Sequence, residues 1–546
     1  MTYDVIIVGA GSAGCALAAR LSENDSRQVL LLDAGPDYER LDNFPAEISR
    51  ARSMAATFPG HPINWSFVGE LTPGQKYPLA RGKLVGGSSA VNGTYFIRGR
   101  REDFDQWAAL GNDLWSYEQV LPFFKKSERD LDFADEFHGQ DGPMPVRRPG
   151  QKELQPVSQA FIEACLRAGY PEDPDKNAPA EEGVGPIPRN VVDGFRMNTA
   201  VTYLASIRNR PNLTVLGDTF VRRVLFDGKR AVGVETERDG RPAEFRGNEI
   251  VLSAGGIKSP HLLMLSGVGP ADSLRKHGID VVHDSPGVGR NVKDHPSVFV
   301  NYRVREDRTP LPVDFMPFQT CLNHTAAEST VDGDLQITCG AAPYSRMIGS
   351  ATGKRIGVPS YLTRPLATLS ALRRLPTRLV YTQARNQDNL VLLCSLDAEQ
   401  STGEIYLNSA DPADSPGISF NYLSDPADLP RVVANVRLAL ELLQSPQFKH
   451  LGAQIVGPTA QDYASAEALR KWVTGNLGTS LHTSSSARMG PESDPTAVVD
   501  QYCRVHGVEG LRVVDISIMP TIIRRGPAAT AVMIGERAAA LFDLTS

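Results

Sequence analysis

Gly9, Gly11 and Gly14 sit on a turn between an apolar run, Asp4-Val-Ile-Ile-Val8, and a small-residue segment that begins Ser12-Ala13-Gly14. A second apolar run, Val29-Leu-Leu-Leu32, ends in Asp33 and Ala34. Glycines in this pattern permit a tight turn, close approach of backbone to a pyrophosphate, and close packing of a helix on a strand. The N-terminus of that helix offers free N–H groups and partial positive charge to phosphates. Asp33 stands where a carboxylate can accept hydrogen bonds from an adenosine ribose. A glycine turn alone is weak, but strand, turn, helix, strand and acid in this order predict dinucleotide binding.

The elements that must position this chemistry alternate along the chain. A βαβ unit covers about residues 3–35, and Gly/Pro-rich loops follow to about residue 100. Residues 155–170 read as an amphipathic helix with Val157, Phe161, Ile162, Cys165 and Leu166 on one side. Strand-like runs fall at 213–216, 230–237 and 249–253, the last leading through Ala254 into a helix that includes 262–265. The middle region, 296–499, mixes strands with helices at 428–444 and 465–475. A buried strand at 511–515 and a closing helix at 527–542, opened by Pro527, complete the pattern of one domain interrupted by another.

A chain of 546 residues exceeds a usual single core, so two domains are the default. A net charge of −6 argues against nucleic acid as a partner. No apolar run approaches the about 18–20 residues that cross a bilayer, and no signal peptide precedes the first strand, so a cytoplasmic location is expected, with a peripheral membrane contact as the further option. Six scattered cysteines read as reduced thiols rather than a disulfide framework. No histidine pair has metal-ligand spacing with a third ligand nearby, so no metal is expected. Residues 364–379 carry arginines among leucines; a mobile lid or solvated face and a weak membrane-surface contact are both open readings.

Three further segments are distinctive: Arg81-Gly-Lys-Leu-Val-Gly-Gly-Ser-Ser-Ala-Val-Asn-Gly93, Gly255-Gly-Ile-Lys-Ser-Pro-His-Leu-Leu-Met-Leu-Ser-Gly-Val-Gly269, and His482-Thr-Ser-Ser-Ser-Ala-Arg-Met-Gly490 followed by Gly510-Leu-Arg-Val-Val-Asp-Ile-Ser-Ile-Met-Pro520. Together with the opening glycines, and over nearly the whole chain, the sequence resembles the glucose–methanol–choline (GMC) family of FAD-dependent oxidoreductases. The resemblance implies an α/β protein with a Rossmann-like FAD-binding domain, a parallel sheet with helices, and an α+β substrate domain with an antiparallel sheet. The boundaries expected are 1–155, 213–295 and 500–546 for the FAD domain, and 156–212 and 296–499 for the substrate domain.

The resemblance also implies FAD as cofactor and assigns positions. Gly9, Gly11, Ser12, Ala13, Gly14, Asp33 and Ala34 match the ADP element. Arg81, Gly86, Gly87, Ser88, Asn92 and Gly93 match the loop beside the isoalloxazine and ribityl chain. Val221 and Ala254 match cofactor-contacting positions, and Asp515, Ile516 and Pro527 match the segments at the pyrophosphate, ribityl chain and flavin. Some members attach FAD through a histidine just before the position of Asn92; Val91 stands here, so non-covalent FAD is expected.

His482 matches the family histidine that takes the substrate hydroxyl proton, a task suited to imidazole with its ordinary pKa near ~6.5. The match is imperfect, because Thr483, Ser485, Ser486 and Ala487 replace the usual Pro, Gly, Thr and Cys. His295, in Val292-Lys-Asp-His-Pro, and His506 read as structural loop positions. The family's second His or Asn falls on Gly526, which has no side chain. Either His482 works alone, or Arg524, Arg525 or a serine of 484–486 supplies the polar contact; an arginine here could instead recognise an acidic substrate or favour reduced anionic flavin, or both arginines face solvent or cap a loop. The Arg-Gly-Pro ending is similar to the mycofactocin-associated branch, in which electrons leave for a respiratory carrier.

The expected function is oxidation of a small-molecule alcohol to an aldehyde or ketone, with electrons passed to oxygen or a quinone-type acceptor. Two alternatives stay open: a light-driven flavin decarboxylase of a fatty acid, and a flavin electron-transfer protein without its own substrate.

Overall fold

The computed structural model describes all residues except 1, 180–181, 306–310, 312–313, 328, 344, 346–363 and 545–546. Two seven-stranded sheets dominate. In the first, Leu213–Leu216, Val29–Leu32, Thr2–Val8, the C-terminal half of Arg241–Leu252 and Leu511–Val513 run parallel. The N-terminal half of Arg241–Leu252 turns back into an antiparallel meander with Arg230–Arg238 and Thr219–Asp227. The parallel strands are unbroken apolar runs because both faces are covered: every residue of Val29–Leu32 is fully buried.

The helix Ser12–Leu21 packs against the closing helix Ala528–Asp543. Small residues let the backbones meet: a side chain at Gly535 would overlap Ala13 O and stand 3.0 Å from the methyl of Ala16. The closing helix begins at Ala528, so Pro527 is its N-cap and lies one position before the first helical residue.

The second sheet is antiparallel throughout, in the order Gln454–Gly457, Pro296–Arg303, Leu390–Leu396, Leu335–Gly340, Phe318–His324 and Gly183–Pro186, with Leu477–Thr479 also paired to Pro296–Arg303. The helix Asp428–Leu443 lies on this sheet, burying Val432, Val436, Ala439 and Leu443 at helical spacing. The helix expected at 155–170 is Pro156–Arg167, with Val157, Phe161 and Cys165 buried as its periodicity demands; Leu166 is exposed instead.

Residues 364–379 form the helices Pro365–Leu372 and the start of Thr377–Arg385, separated where Pro376 cannot continue the first. Among the described residues, no helix is long and apolar enough to cross a membrane. All six cysteines are free and buried.

Candidate active site

At the ends of the parallel strands Gly9 meets Ser253 and Ala254, Gly87 meets Gly11, and Gly255 meets Asp515. Gly9 has φ +105°, and any side chain on it would overlap Ser253 O and reach 2.9 Å from Ala254 Cα. At Gly14 a side chain would overlap Gly9 O, so the helix can approach the strand only with glycine there. Gly11 differs: a Cβ there would meet nothing nearer than Ser253 O at 4.0 Å, so its outer side is open at the helix N-terminus. No side chain caps that terminus, which leaves its first-turn N–H groups for a ligand.

The second glycine loop closes over the first. Gly86 N–H donates to Ala10 O at 2.7 Å, and a Cβ on Gly87, at φ +52°, would lie 2.6 Å from Gly11 Cα. Gly87–Ala90 is a single 3-10 turn, and Asn92 N–H donates to Ser88 O at 3.0 Å. Gly93 borders Tyr95 and Phe318. Asp33 accepts Ala10 N–H at 3.0 Å and Gly35 N–H at 2.9 Å, so it braces the glycine turn; burial pushes its carboxyl up to about 6. Asp515 accepts Gly255 N–H at 2.8 Å, Ser259 Oγ–H at 2.5 Å and Ser517 N–H at 2.8 Å, with Ile516 beginning the turn it caps. Val221 is buried on Thr219–Asp227, beside a register shift in that strand. An open glycine turn, an uncapped helix N-terminus and an acid on the neighbouring strand fit the ADP half of FAD.

His482 lies just beyond Leu477–Thr479, and Asp294 holds the turn. The Asp294 carboxylate accepts the backbone N–H groups of His482 and His295, each at 2.7 Å, and the hydroxyls of Thr479 and Thr483 at 3.0 and 3.1 Å. Arg81 Nη2 donates to Thr483 Oγ1 at 2.8 Å, which puts this predicted cofactor-loop residue next to the histidine turn. His295, read from sequence as a structural loop position, is in direct contact with His482: their Nδ1 atoms are 2.8 Å apart. His295 Nε2 is 3.0 Å from Ile523 O.

A carbonyl oxygen only accepts, so His295 carries its proton on Nε2. Burial pushes His295 down to about 3, so it is neutral and its Nδ1 is an acceptor. His482 Nδ1 must therefore donate, and the lone pair of His482 falls on Nε2. That nitrogen has no hydrogen-bond partner among the described residues and faces Gly526, where a Cβ would stand 3.6 Å away. Burial first, then His295 and Arg81, hold the His482 imidazole well below its ordinary 6.5. The sequence offered no signal for this pairing beyond the Asp-His-Pro cluster itself.

The residues weighed for the second polar contact differ in what they touch. Arg524 is buried and gives Nε to Asp103 at 2.6 Å and Nη1 to Asp332 O at 2.8 Å, so it is an anchor and does not face solvent. Ser484, Ser485 and Ser486 are fully buried; Ser486 Oγ donates to Gly256 O at 2.6 Å and the other two hydroxyls pair at 3.4 Å. Arg525 is also buried, with Nη1 on Arg524 O at 2.6 Å. Asp397, unnoticed in the sequence, sits 3.6 Å from His295 Nδ1, and burial pushes its carboxyl up to about 8 against the pull of Arg525.

His138, which had no motif around it, is the hub of a separate buried cluster. Its ring lies 3.0 Å from Asp130, 3.3 Å from Glu128 and 2.7 Å from Asp175. Such a set of ligand atoms can hold a metal. Here the carboxylates are already taken by Arg148, which reaches Asp130 and Asp175, and by Arg98 on Glu128 at 2.5 Å, so the cluster reads as an ion-pair network. Burial opposes charge on His138, but the three carboxylates outweigh it and push the imidazole up to about 11.

Comparison with known proteins shows the family. Family models for GMC oxidoreductase match residues 3–297 and 399–535. An uncharacterised GMC-type oxidoreductase of Rhodococcus erythropolis is 39% identical over 541 residues, 98% of each chain. An oxygen-dependent choline dehydrogenase of Ectopseudomonas mendocina is 37% identical over 553 residues, 98% of this chain and 93% of the other. The crystal structure of pyridoxine 4-oxidase from Mesorbium loti superposes with a TM-score of 0.83 at 28% identity, covering all of both chains. The chain belongs to the GMC oxidoreductase family. It is an FAD-dependent oxidoreductase of CH–OH groups.

Proposed function

We propose that the protein oxidises a small-molecule alcohol to an aldehyde or ketone, with His482 Nε2 as the base that takes the hydroxyl proton. The observation that carries this reading is geometric: Ile523 O, His295 and His482 lie in hydrogen-bond reach in series, and His482 Nε2, without a hydrogen-bond partner among the described residues, faces Gly526. FAD, held at the glycine turns, supplies the hydride acceptor for the carbinol carbon. With Val91 in the attachment position the FAD is non-covalent.

His482 is neutral at pH 7 and so ready to accept a proton. Protonation leaves Nδ1–H on neutral His295, so the imidazolium keeps its orientation. Gly526 contributes room instead of a second polar contact, and Arg81 and Arg525 supply positive potential where an alkoxide develops. The two electrons then pass to oxygen or a quinone-type acceptor.

The division into 1–155, 213–295 and 500–546 for FAD, and 156–212 and 296–499 for substrate, is supported by strand membership. Every strand of the first sheet falls in the former segments and every strand of the second in the latter. Exposed Leu366 and Leu369, with Arg373, Arg374 and Arg378, fit a weak contact with an anionic membrane surface. Anaerobic mixing of the FAD-bound protein with a panel of alcohols, followed by flavin absorbance, tests the function; no bleaching by any alcohol would count against it.

A further inference from the structure

A cavity of about 260 Å³ lies where the segment 98–102 enters the helix Arg101–Ala109 and meets the loop 173–179. Five cations line it: Arg98, Arg100, Arg101, Lys176 and Arg525. Glu102 and Asp173 also line it, but both are already matched. Asp173 accepts Lys176 Nζ at 2.9 Å, and Glu102 accepts Arg100 Nε at 3.0 Å. Arg98 is matched by Glu128 outside the lining set.

Among the described residues, Arg525 is the lining cation with no ion pair, and Arg100 and Arg101 keep donors beyond their single acidic partners. Arg525 makes no ion pair among the described residues; its Nη1 is held by two carbonyls, Arg524 O and Gly333 O, and its other N–H groups have no protein partner there. Arg100 lines the cavity with its Nε held by Glu102, while its Nη1 is buried against Gly333 without a hydrogen-bond partner. Arg101 has only exposed Glu118, at 3.9 Å. Two acids act on Arg525: Asp397, which burial holds up to about 8 and so mostly uncharged at neutral pH, and Asp103, which is taken by Arg524. A buried guanidinium N–H without an acceptor is unfavourable, and an oxyanion is the group that supplies acceptors to several at once.

We propose that this cavity is an oxyanion subsite formed by Arg525, Arg100 and Arg101, and that its occupant is the carboxylate of a hydroxy acid whose hydroxyl lies at His482. Arg525 is the lining residue that joins the two places: it directly precedes Gly526, which faces His482 Nε2, although neither Gly526 nor His482 lines the cavity itself. The substrate assignment rests on the function proposed above; the oxyanion site does not.

Two measurements on the FAD-bound protein separate those claims. In calorimetry, inorganic phosphate should bind the wild type, and both Arg100→Gln and Arg101→Gln should weaken it about tenfold. Arg101 is 45% exposed, so its variant keeps the test valid should Arg100→Gln unfold. In anaerobic flavin reduction, 6-hydroxyhexanoate should show an apparent Kd about tenfold lower than 1-hexanol, and the same variants should erase that preference while leaving 1-hexanol unchanged. Phosphate binding without any preference for the hydroxy acid would overturn the substrate claim and assign the site to a free oxyanion. Absence of phosphate binding in the wild type, or binding unchanged in both variants, would overturn the site itself.

Discussion

The imidazoles of His295 and His482 meet edge to face, ring planes at 89° and Nδ1 atoms 2.8 Å apart. One hydrogen bond, from His295 Nε2 to Ile523 O, decides where both rings carry their protons. His295 is therefore a positioning residue. His295→Leu should retain FAD and slow flavin reduction about tenfold to a hundredfold, because the tautomer of His482 is no longer held. The Nδ1–Nδ1 contact acts on the proton affinity of His482, so its removal should shift the acid limb of the kcat/KM profile. His295→Gln, whose amide can both donate to Ile523 O and accept from His482, should restore much of the rate. A rate loss with no change in the pH profile and no rescue would assign His295 to packing alone.

Gly526 should act as room. Its Cβ position is 3.6 Å from His482 Nε2 and 3.8 Å from Ile97, an ordinary contact distance, so Gly526→Ala should fold and bind FAD normally. The added methyl takes space beside the base. KM for branched secondary alcohols should rise several-fold, while a short primary alcohol should change little, as steady-state kinetics would show. Equal effects on both would contradict the steric reading.

Arg524 should matter for stability. Its side chain is 9% exposed and its partner Asp103 is 2% exposed, at 2.6 Å. Arg524→Met leaves a buried carboxylate without its strongest donor and should cost about 3 kcal/mol, read in a denaturant titration. The flavin reduction rate of the folded fraction should be close to wild type.

Acid should destabilise the fold through His295. In the unfolded chain this group takes a proton below its ordinary 6.5, but in the fold it resists protonation down to about 3. The unfolded state thus binds more protons across that window, and stability falls as pH drops through it, by at most about 1.4 kcal/mol per pH unit from this group. His138 has the opposite sign. Its folded value of about 11 gives a contribution fully present below 6.5 and lost as pH rises through 11. Replacing His138 with Gln should therefore remove stability at neutral pH and flatten the alkaline limb of the melting-temperature profile.

What was legible in the sequence was mostly local. Glycines at 9, 11 and 14 declare themselves because a turn, an uncapped helix end and a close helix–strand contact all depend on residues within one short segment. The helices at 428–443 and 466–475 were visible for the same reason, as periodic apolar positions. His482 could be read only from its motif. Its partners could not: His295 lies 187 positions away, and the lowered pKa of each ring comes mainly from burial, which spacing does not encode. Arg524 and Arg525 are neighbours with different fates because Asp103 happens to meet one of them. The meander that completes the first sheet was likewise seen only in part, since only one of its strands, Arg230–Arg238, stood out as a run.

The most direct test of the account is anaerobic stopped-flow reduction of bound flavin in His482→Ala against wild type, with an alcohol that bleaches the wild-type protein. The account predicts unchanged FAD content and reduction slower by at least about 100-fold, the scale of losing a general base. Reduction at a near-normal rate, with FAD bound, would contradict it.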